Sequence, residues 1–160
     1  MSTFNLVATG GTFDVIHVGH ISLLSKAFQI SKRTIIGITS DSFVKRMKGK
    51  NKIGHRYEER VSNIKKTIKE VFGSDAVFDI VQLDSKYGPT VVYGEVEALV
   101  TSTETAKIGQ EINQIRRKIG LKQLDIVVVE ILKSDDGKPI SSSRIRAGEI
   151  DASGNLLNNN

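Results

Sequence analysis

Two rhythms run along this chain: short apolar runs rich in β-branched residues, and longer stretches whose apolar positions recur at helical spacing. Leu6 to Thr9 reads as a first buried strand. Ile21, Leu24 and Phe28 then predict a helix that ends before Arg33. Thr34-Ile35-Ile36-Gly37-Ile38-Thr39 is a second strand. From about Tyr57 a helix carries Glu58 and Glu59 in its first turn and an apolar stripe of Val61, Ile64, Ile68 and Val71, and Gly73 stops it. Ala76 to Leu83 predicts a third strand and Ala98 to Thr101 a short fourth. A long helix with Ile108, Ile112, Ile115 and Ile119 on one face then stops at Gly120. Asp125 to Leu132 is a nearly continuous apolar run, as in a strand covered on both faces, and a last helix starts around Ser141 to Ser143. Strands alternating with helices predict an α/β fold: a doubly wound parallel sheet of about five strands, with helices on both faces. Residues 1–150 are expected to form one domain and the polar segment 151–160 to fray.

Composition narrows the class. With 39% apolar and 26% charged residues, the 160-residue chain has the balance of a soluble globular protein. It has no cysteine, hence no disulfide framework and no thiolate chemistry. No apolar run approaches the length of a membrane span and no secretory leader opens the sequence, so a cytoplasmic protein without a membrane partner is expected. The charge is uneven. Lys45, Arg46, Lys48, Lys50, Lys52 and Arg56 are six cations with no acid among them, one more than the formal net charge of +5 for the whole chain. One basic loop without interleaved aromatics suits a small, highly charged ligand, and nucleic acid is not expected as a partner.

In a sheet of this kind ligands gather at the carboxyl ends of the strands. Four features fall there. The first is Gly10-Gly11-Thr12-Phe13-Asp14-Val15-Ile16-His17-Val18-Gly19-His20, a glycine turn between a strand and a helix start. Alone, a Gly-Gly pair marks a turn and a histidine is commonly just hydrogen-bonded. Together, Gly10, Gly11 and Gly19 would let backbone approach a polyphosphate, unpaired helix amides would face it, and His17 and His20 would point to one spot. With no third ligand nearby in sequence, the two histidines are not expected to hold a metal. The second feature is the basic loop from Thr39 to Lys50, where Lys48 is the first candidate for a phosphate-contacting cation and Lys45 the second; spacing alone does not separate them. The third is Thr101 to Thr105, in which Thr101-x-x-Glu104 fits a helix capping box. The fourth is Ser141-Ser142-Ser143-Arg144-Ile145-Arg146, either a plain N-cap or an anion cradle with two guanidinium groups.

The first string fills every position of the G-G/x-T-F-D-x-x-H-x-G-H signature of the nucleotidyltransferase superfamily, and Ile140 to Arg146 resembles its I-S-S-T/S-x-x-R motif. Asp84-Ser85-Lys86-Tyr87-Gly88-Pro89-Thr90, Val100 to Thr105, Glu111 to Arg117 and Gly120 to Val127 are similar to the phosphopantetheine adenylyltransferase family, archaeal and eukaryotic type, over about residues 4 to 148. That resemblance implies a Rossmann-like domain making dephospho-coenzyme A and pyrophosphate from ATP and 4′-phosphopantetheine, with Mg²⁺ bound to the phosphates and few protein ligands. It implies ATP contacts from Gly10, Gly11, Thr12, Phe13, His17, Gly19, His20, Ser141, Ser142, Ser143 and Arg146. His20, Lys48 and Thr12 would be catalytic: His20 near the α-phosphate, Lys48 straddling attacking and leaving oxygens, Thr12 bonding the incoming phosphate. Acceptor contacts would come from Thr12, Lys45, Lys48 and Thr101. By their chemistry the loop residues Phe13, Tyr87 to Thr90 and Thr101 to Thr105 suit the neutral pantetheine arm, which has amides and a thiol but no ring. The bacterial type carries an R-G-x-R element after its fourth strand. Thr101 to Thr105 has no arginine, and Arg116 or Arg117 on the long helix is open as a substitute or as a surface residue. A related transferase using nicotinamide mononucleotide, flavin mononucleotide or an alcohol phosphate is the alternative enzyme. A catalytically silent nucleotide- or RNA-binding module is the alternative from another class.

Overall fold

The computed structural model describes residues 3–48, 53–91 and 93–157. Strands β1 (Phe4–Gly11), β2 (Ser31–Thr39), β3 (Phe78–Leu83), β4 (Ala98–Ser102) and β5 (Asp125–Val129) form one sheet in the order β3-β2-β1-β4-β5, with every pairing parallel. Helices α1 (Val18–Ile30), α2 (Asp41–Lys48), α3 (Tyr57–Phe72), α4 (Ala106–Lys118) and α5 (Ser142–Arg146) connect and close it, with a 3₁₀ turn at Gly88–Val91. The chain winds outward from β1 to β3, crosses back to β4 and winds outward again. The switch point, where ligands bind in such sheets, therefore lies between β1 and β4.

Alternate residues of each strand serve opposite faces. Val7, Ile36, Ile38 and Val100 pack beneath Leu24 and Ala27 of α1 and Ile64 and Ile68 of α3, while Ala8, Ile35 and Leu99 pack beneath Ile112 of α4. This is the doubly wound arrangement the alternating pattern predicts. At Gly73 the backbone turns left-handed, φ +78°, and its amide bonds the Lys69 carbonyl at 3.1 Å, ending α3 where expected.

The differences from the sequence reading have local causes. Residues 41–48 form a helix rather than a loop, because the Ser40 hydroxyl accepts the Phe43 amide at 3.1 Å and Asp41 occupies the first turn. The buried row of α3 is Arg60, Ile64, Ile68, so Val71 is left 50% exposed. On α4 the row is Gly109, Ile112, Arg116, and Ile119 is 54% exposed. β5 stops at Val129, three residues before the end of the apolar run. The polar segment expected to fray is tied down through Leu157: the Asp151 carboxylate accepts the amides of Ser153 and Asn155, Leu157 N–H bonds the Glu149 carbonyl, and the Ala152 carbonyl accepts the Val18 amide at 3.1 Å. Residues 158–160 lie outside the described residues.

Candidate active site

The turn between β1 and α1 builds the site. Gly10 pairs with Gly37 across the sheet, where a Cβ would come within 3.1 Å of the Gly37 carbonyl oxygen. Phe13 follows in left-handed backbone, φ +52°, an unusual conformation for a non-glycine residue. Its ring is almost fully buried and lies 4.9 Å from the His20 ring.

His17 is the N-cap of α1. Its Nδ1 accepts the Gly19 amide at 3.1 Å, and its own amide donates to His20 Nδ1 at 3.2 Å. A capping box built of two histidines thus replaces the usual hydroxyl and carboxylate. Because both Nδ1 atoms accept from backbone, each neutral ring carries its proton on Nε2. The rings stack with centroids 3.8 Å apart. Burial drives the His17 pKa down to about 4; burial and then the neighbouring His17 drive that of His20 down to about 3. At neutral pH the pair therefore offers two parallel N–H donors rather than two charges. The helix start is less open than the sequence suggests, since the Val18 and Gly19 amides already have acceptors.

A cleft of about 560 Å³ opens at this end of the sheet. Gly10, Gly11, Thr12, Phe13, His17, Gly19, His20, Thr101, Ser141, Ser142 and Ser143 all line it, so the sequence candidates from three of the four features converge. An apolar limb is lined by Ile35, Leu99, Ile108 and Ile112, with Tyr87 just before the 3₁₀ turn and Thr90 within it. Tyr87 is held by a 3.0 Å hydrogen bond to Glu111, which also pairs with Lys86 at 3.1 Å. α2 contributes Phe43 and Met47. Lys45 is exposed on the same helix and does not line the cleft. Lys48 closes α2, but its side chain lies outside the described residues, as do Lys50 and Lys52.

Several candidates have structural partners. Ser141 caps α5 by accepting the Arg144 amide at 3.3 Å. Ser142 Oγ donates to the Val15 carbonyl at 2.9 Å and accepts the Val15 amide at 3.2 Å, binding α5 to the histidine turn. Ser143 accepts from Arg146 at 3.2 Å. Arg146 does not line the cleft; its guanidinium pairs with the Asp14 carboxylate. Arg144 is not solvent-directed, since Asp136, Glu149 and Ser134 hold it. Thr101 is buried with its hydroxyl against Thr105, and α4 begins only at Ala106, so the capping box expected at Thr101 and Glu104 does not form. Arg116 is buried and donates to the carbonyls of Lys122, Thr90, Tyr93 and Val96, whereas Arg117 is exposed. Arg116 is a strut for the 3₁₀ segment, not a phosphate ligand.

Two residues at the site were not singled out from sequence. Asp14 is buried and receives the Gly54 amide at 2.9 Å, the His55 amide at 2.9 Å, the His55 ring at 3.1 Å and Arg146. Burial alone would raise its pKa, but the Gly54 amide, the His55 side chain and Arg146 together hold it below the ordinary value. Arg60 is fully buried behind Thr12. Its signal was available: it shares the i, i+4, i+8 row with Ile64 and Ile68.

A parallel sheet with this switch point, a glycine turn and paired histidine donors at its mouth define a nucleotidyltransferase-like domain, and the chain matches the family model described as Cytidylyltransferase-like over residues 8–148. It is 44% identical over 151 residues to phosphopantetheine adenylyltransferase of Methanopyrus kandleri, covering 94% of each chain. It is 41% identical over 154 residues to the protein of that name from Methanothermobacter thermautotrophicus, covering 96% of this chain and 90% of that one. The chain belongs to the phosphopantetheine adenylyltransferase family. A crystal structure of a protein of unknown function from Archaeoglobus fulgidus superposes with a TM-score of 0.68 at 32% identity, covering 81% of this chain and 89% of that one. Tyrosyl-tRNA synthetase from the same organism shares the fold, with a TM-score of 0.61 at 14% identity over 90% of this chain and 60% of that one.

Proposed function

We propose that the chain transfers AMP from ATP to 4′-phosphopantetheine, giving dephospho-coenzyme A and pyrophosphate. One observation carries the reading: a single cleft joins the paired histidine N–H donors and the serine-bearing start of α5 to an apolar limb. The first part suits a triphosphate and the second a flexible arm without a ring.

The nucleophile is the acceptor phosphate, whose second pKa near 6 leaves it largely ionised at about pH 7, so no general base is required. One of its oxygens attacks the α-phosphorus; the bond from that phosphorus to the bridging oxygen breaks, and pyrophosphate leaves with the electron pair. Catalysis is then positioning and stabilisation of growing negative charge. His20 Nε2–H faces the α-phosphate and His17 Nε2–H an adjoining phosphate. Thr12 meets the incoming phosphate, and the Ser141 and Ser143 hydroxyls serve the outer phosphates. Lys45 and Lys48 bring positive potential on α2. Magnesium enters bound to the nucleotide as part of the substrate; among the described residues no group of three or more His, Asp or Glu could hold a metal. No helix among the described residues is long and apolar enough to cross a membrane, and a cytoplasmic setting suits an ATP-consuming reaction. Pyrophosphate release from MgATP tests the proposal. Release that depends on 4′-phosphopantetheine is expected, and none above background with that acceptor present would defeat it.

A further inference from the structure

Arg60 is 0% exposed, and its guanidinium reaches four segments, of which the Thr12 turn, the end of β2 and α2 line the cleft. Nη1 donates to the Thr12 carbonyl at 2.8 Å and, at a longer 3.4 Å, to the Thr39 hydroxyl. Nε donates to the His55 carbonyl at 3.2 Å, and Nη2 pairs with Asp41 at 3.0 Å. The Thr39 hydroxyl in turn donates to the Thr12 hydroxyl at 3.2 Å. A guanidinium has donors only, so the Thr39 oxygen can only accept from it and must aim its hydrogen onward. The Thr12 oxygen accepts that hydrogen. Its own hydrogen then has no acceptor among the described residues, while the side chain lines the cleft.

We propose that Arg60 is a positioning residue that orients a relay, Arg60 to Thr39 to Thr12, so that Thr12 meets the acceptor's phosphate as a donor. The proposal rests on the adenylyl-transfer reading above and extends it to the choice of nucleophile. An ionised phosphate oxygen only accepts, and it matches a hydroxyl whose donor is turned outward. A neutral hydroxyl nucleophile would have to supply its own proton somewhere, and this relay has no place for it. The same guanidinium grips Asp41, the first residue of α2, so Thr12 and the lysine-bearing helix share one frame.

The test compares Thr39→Val, Thr39→Ser and Arg60→Lys with the wild type. Valine keeps the shape of threonine without the hydroxyl, serine keeps the hydroxyl, and lysine keeps the charge without the fork. Thr39→Val should lower kcat/KM for 4′-phosphopantetheine by on the order of tenfold. Its ATP dissociation constant, measured by calorimetry without acceptor, should stay within about twofold, since the histidines and serines are untouched. Thr39→Ser should recover most of the loss, and Arg60→Lys should fall at least as far as Thr39→Val. Wild-type acceptor kinetics in Thr39→Val would overturn the relay, and so would parallel losses in ATP and acceptor, which would mean general loosening. An active wild type with Thr39→Val unimpaired refutes the relay alone, whereas a wild type inert toward 4′-phosphopantetheine refutes the functional reading as well.

Discussion

Replacing Asp14 by asparagine isolates the group that ties the histidine turn to the rest of the site. The Asp14 side chain is 1% exposed, and its two oxygens share four donors: Gly54 N–H and Arg146 on one, His55 N–H and the His55 ring on the other. An amide of the same shape accepts through one oxygen and presents N–H groups on the other side. Whichever way it turns, one backbone amide loses its acceptor and faces another donor. A buried donor left unpaired costs about 1–3 kcal/mol. Breaking a buried ion pair from one side costs about 3–5 kcal/mol, but Arg146 is 25% exposed and can turn to water, so the lower end applies. The expected loss is roughly 3 kcal/mol in unfolding free energy, or a fall of about 6–12 °C in Tm for a domain of this size. Urea and thermal unfolding at neutral pH should show this for Asp14→Asn. They should show under about 1 kcal/mol for His55→Ala, whose ring is 37% exposed. An Asp14→Asn protein within about 1 kcal/mol of wild type would refute the claim that this carboxylate is the anchor.

His20→Ala should lower kcat by on the order of 10² while ATP binding weakens less, because the lost Nε2–H acts on charge that develops during transfer; a variant with only a raised KM for ATP would make His20 a binding residue. In Gly19→Ala the new Cβ would lie 2.9 Å from His17 Cε1 and 3.0 Å from Nδ1, so the ring must shift and its cap is strained. Steady-state kinetics should show lower kcat/KM for ATP and melting a loss of about 1 kcal/mol, and wild-type values in both would count against the histidine capping box. For the ligand-free protein, the depressed His17 and His20 pKa values make the unfolded state bind more protons below its ordinary 6.5. Their contribution is fully present above pH 6.5 and is lost as pH falls toward about 4 and then 3, roughly 3 kcal/mol for His17 alone. Chemical denaturation at stepped pH should show that decline, and flat stability between pH 6.5 and 4 would contradict the burial of the pair.

The fold and the strand-to-helix turn were legible in the sequence because both rest on local rules. β-branched runs, the i, i+4 stripe of α3, the stop at Gly73 and the glycine turn needed no tertiary information. The cleft-lining residues Thr12, His17, His20 and Ser141 to Ser143 followed from the same strings. What escaped was set by long-range pairing. Asp14 reads as one acid in a motif until residues 54, 55 and 146 arrive around it. Arg60 escaped because a charged residue on an apolar row reads as the row's edge, and for Arg116 the sequence leaves open a substitute for the bacterial arginines or a surface residue, neither of which it is. Here each guanidinium instead satisfies backbone carbonyls inside the core. The neutrality of the histidine pair is likewise invisible to spacing, since it depends on burial and on both Nδ1 atoms accepting from backbone.

The most direct measurement incubates the protein with MgATP and, in parallel, 4′-phosphopantetheine, dephosphorylated pantetheine, nicotinamide mononucleotide or flavin mononucleotide, and identifies the adenylylated products by mass. The cleft as described should yield dephospho-coenzyme A and matching pyrophosphate from the first, nothing from pantetheine, and little from either mononucleotide. Faster turnover of a mononucleotide than of 4′-phosphopantetheine would contradict the assignment of the apolar limb to a ring-free arm, while leaving the adenylyl-transfer chemistry in place.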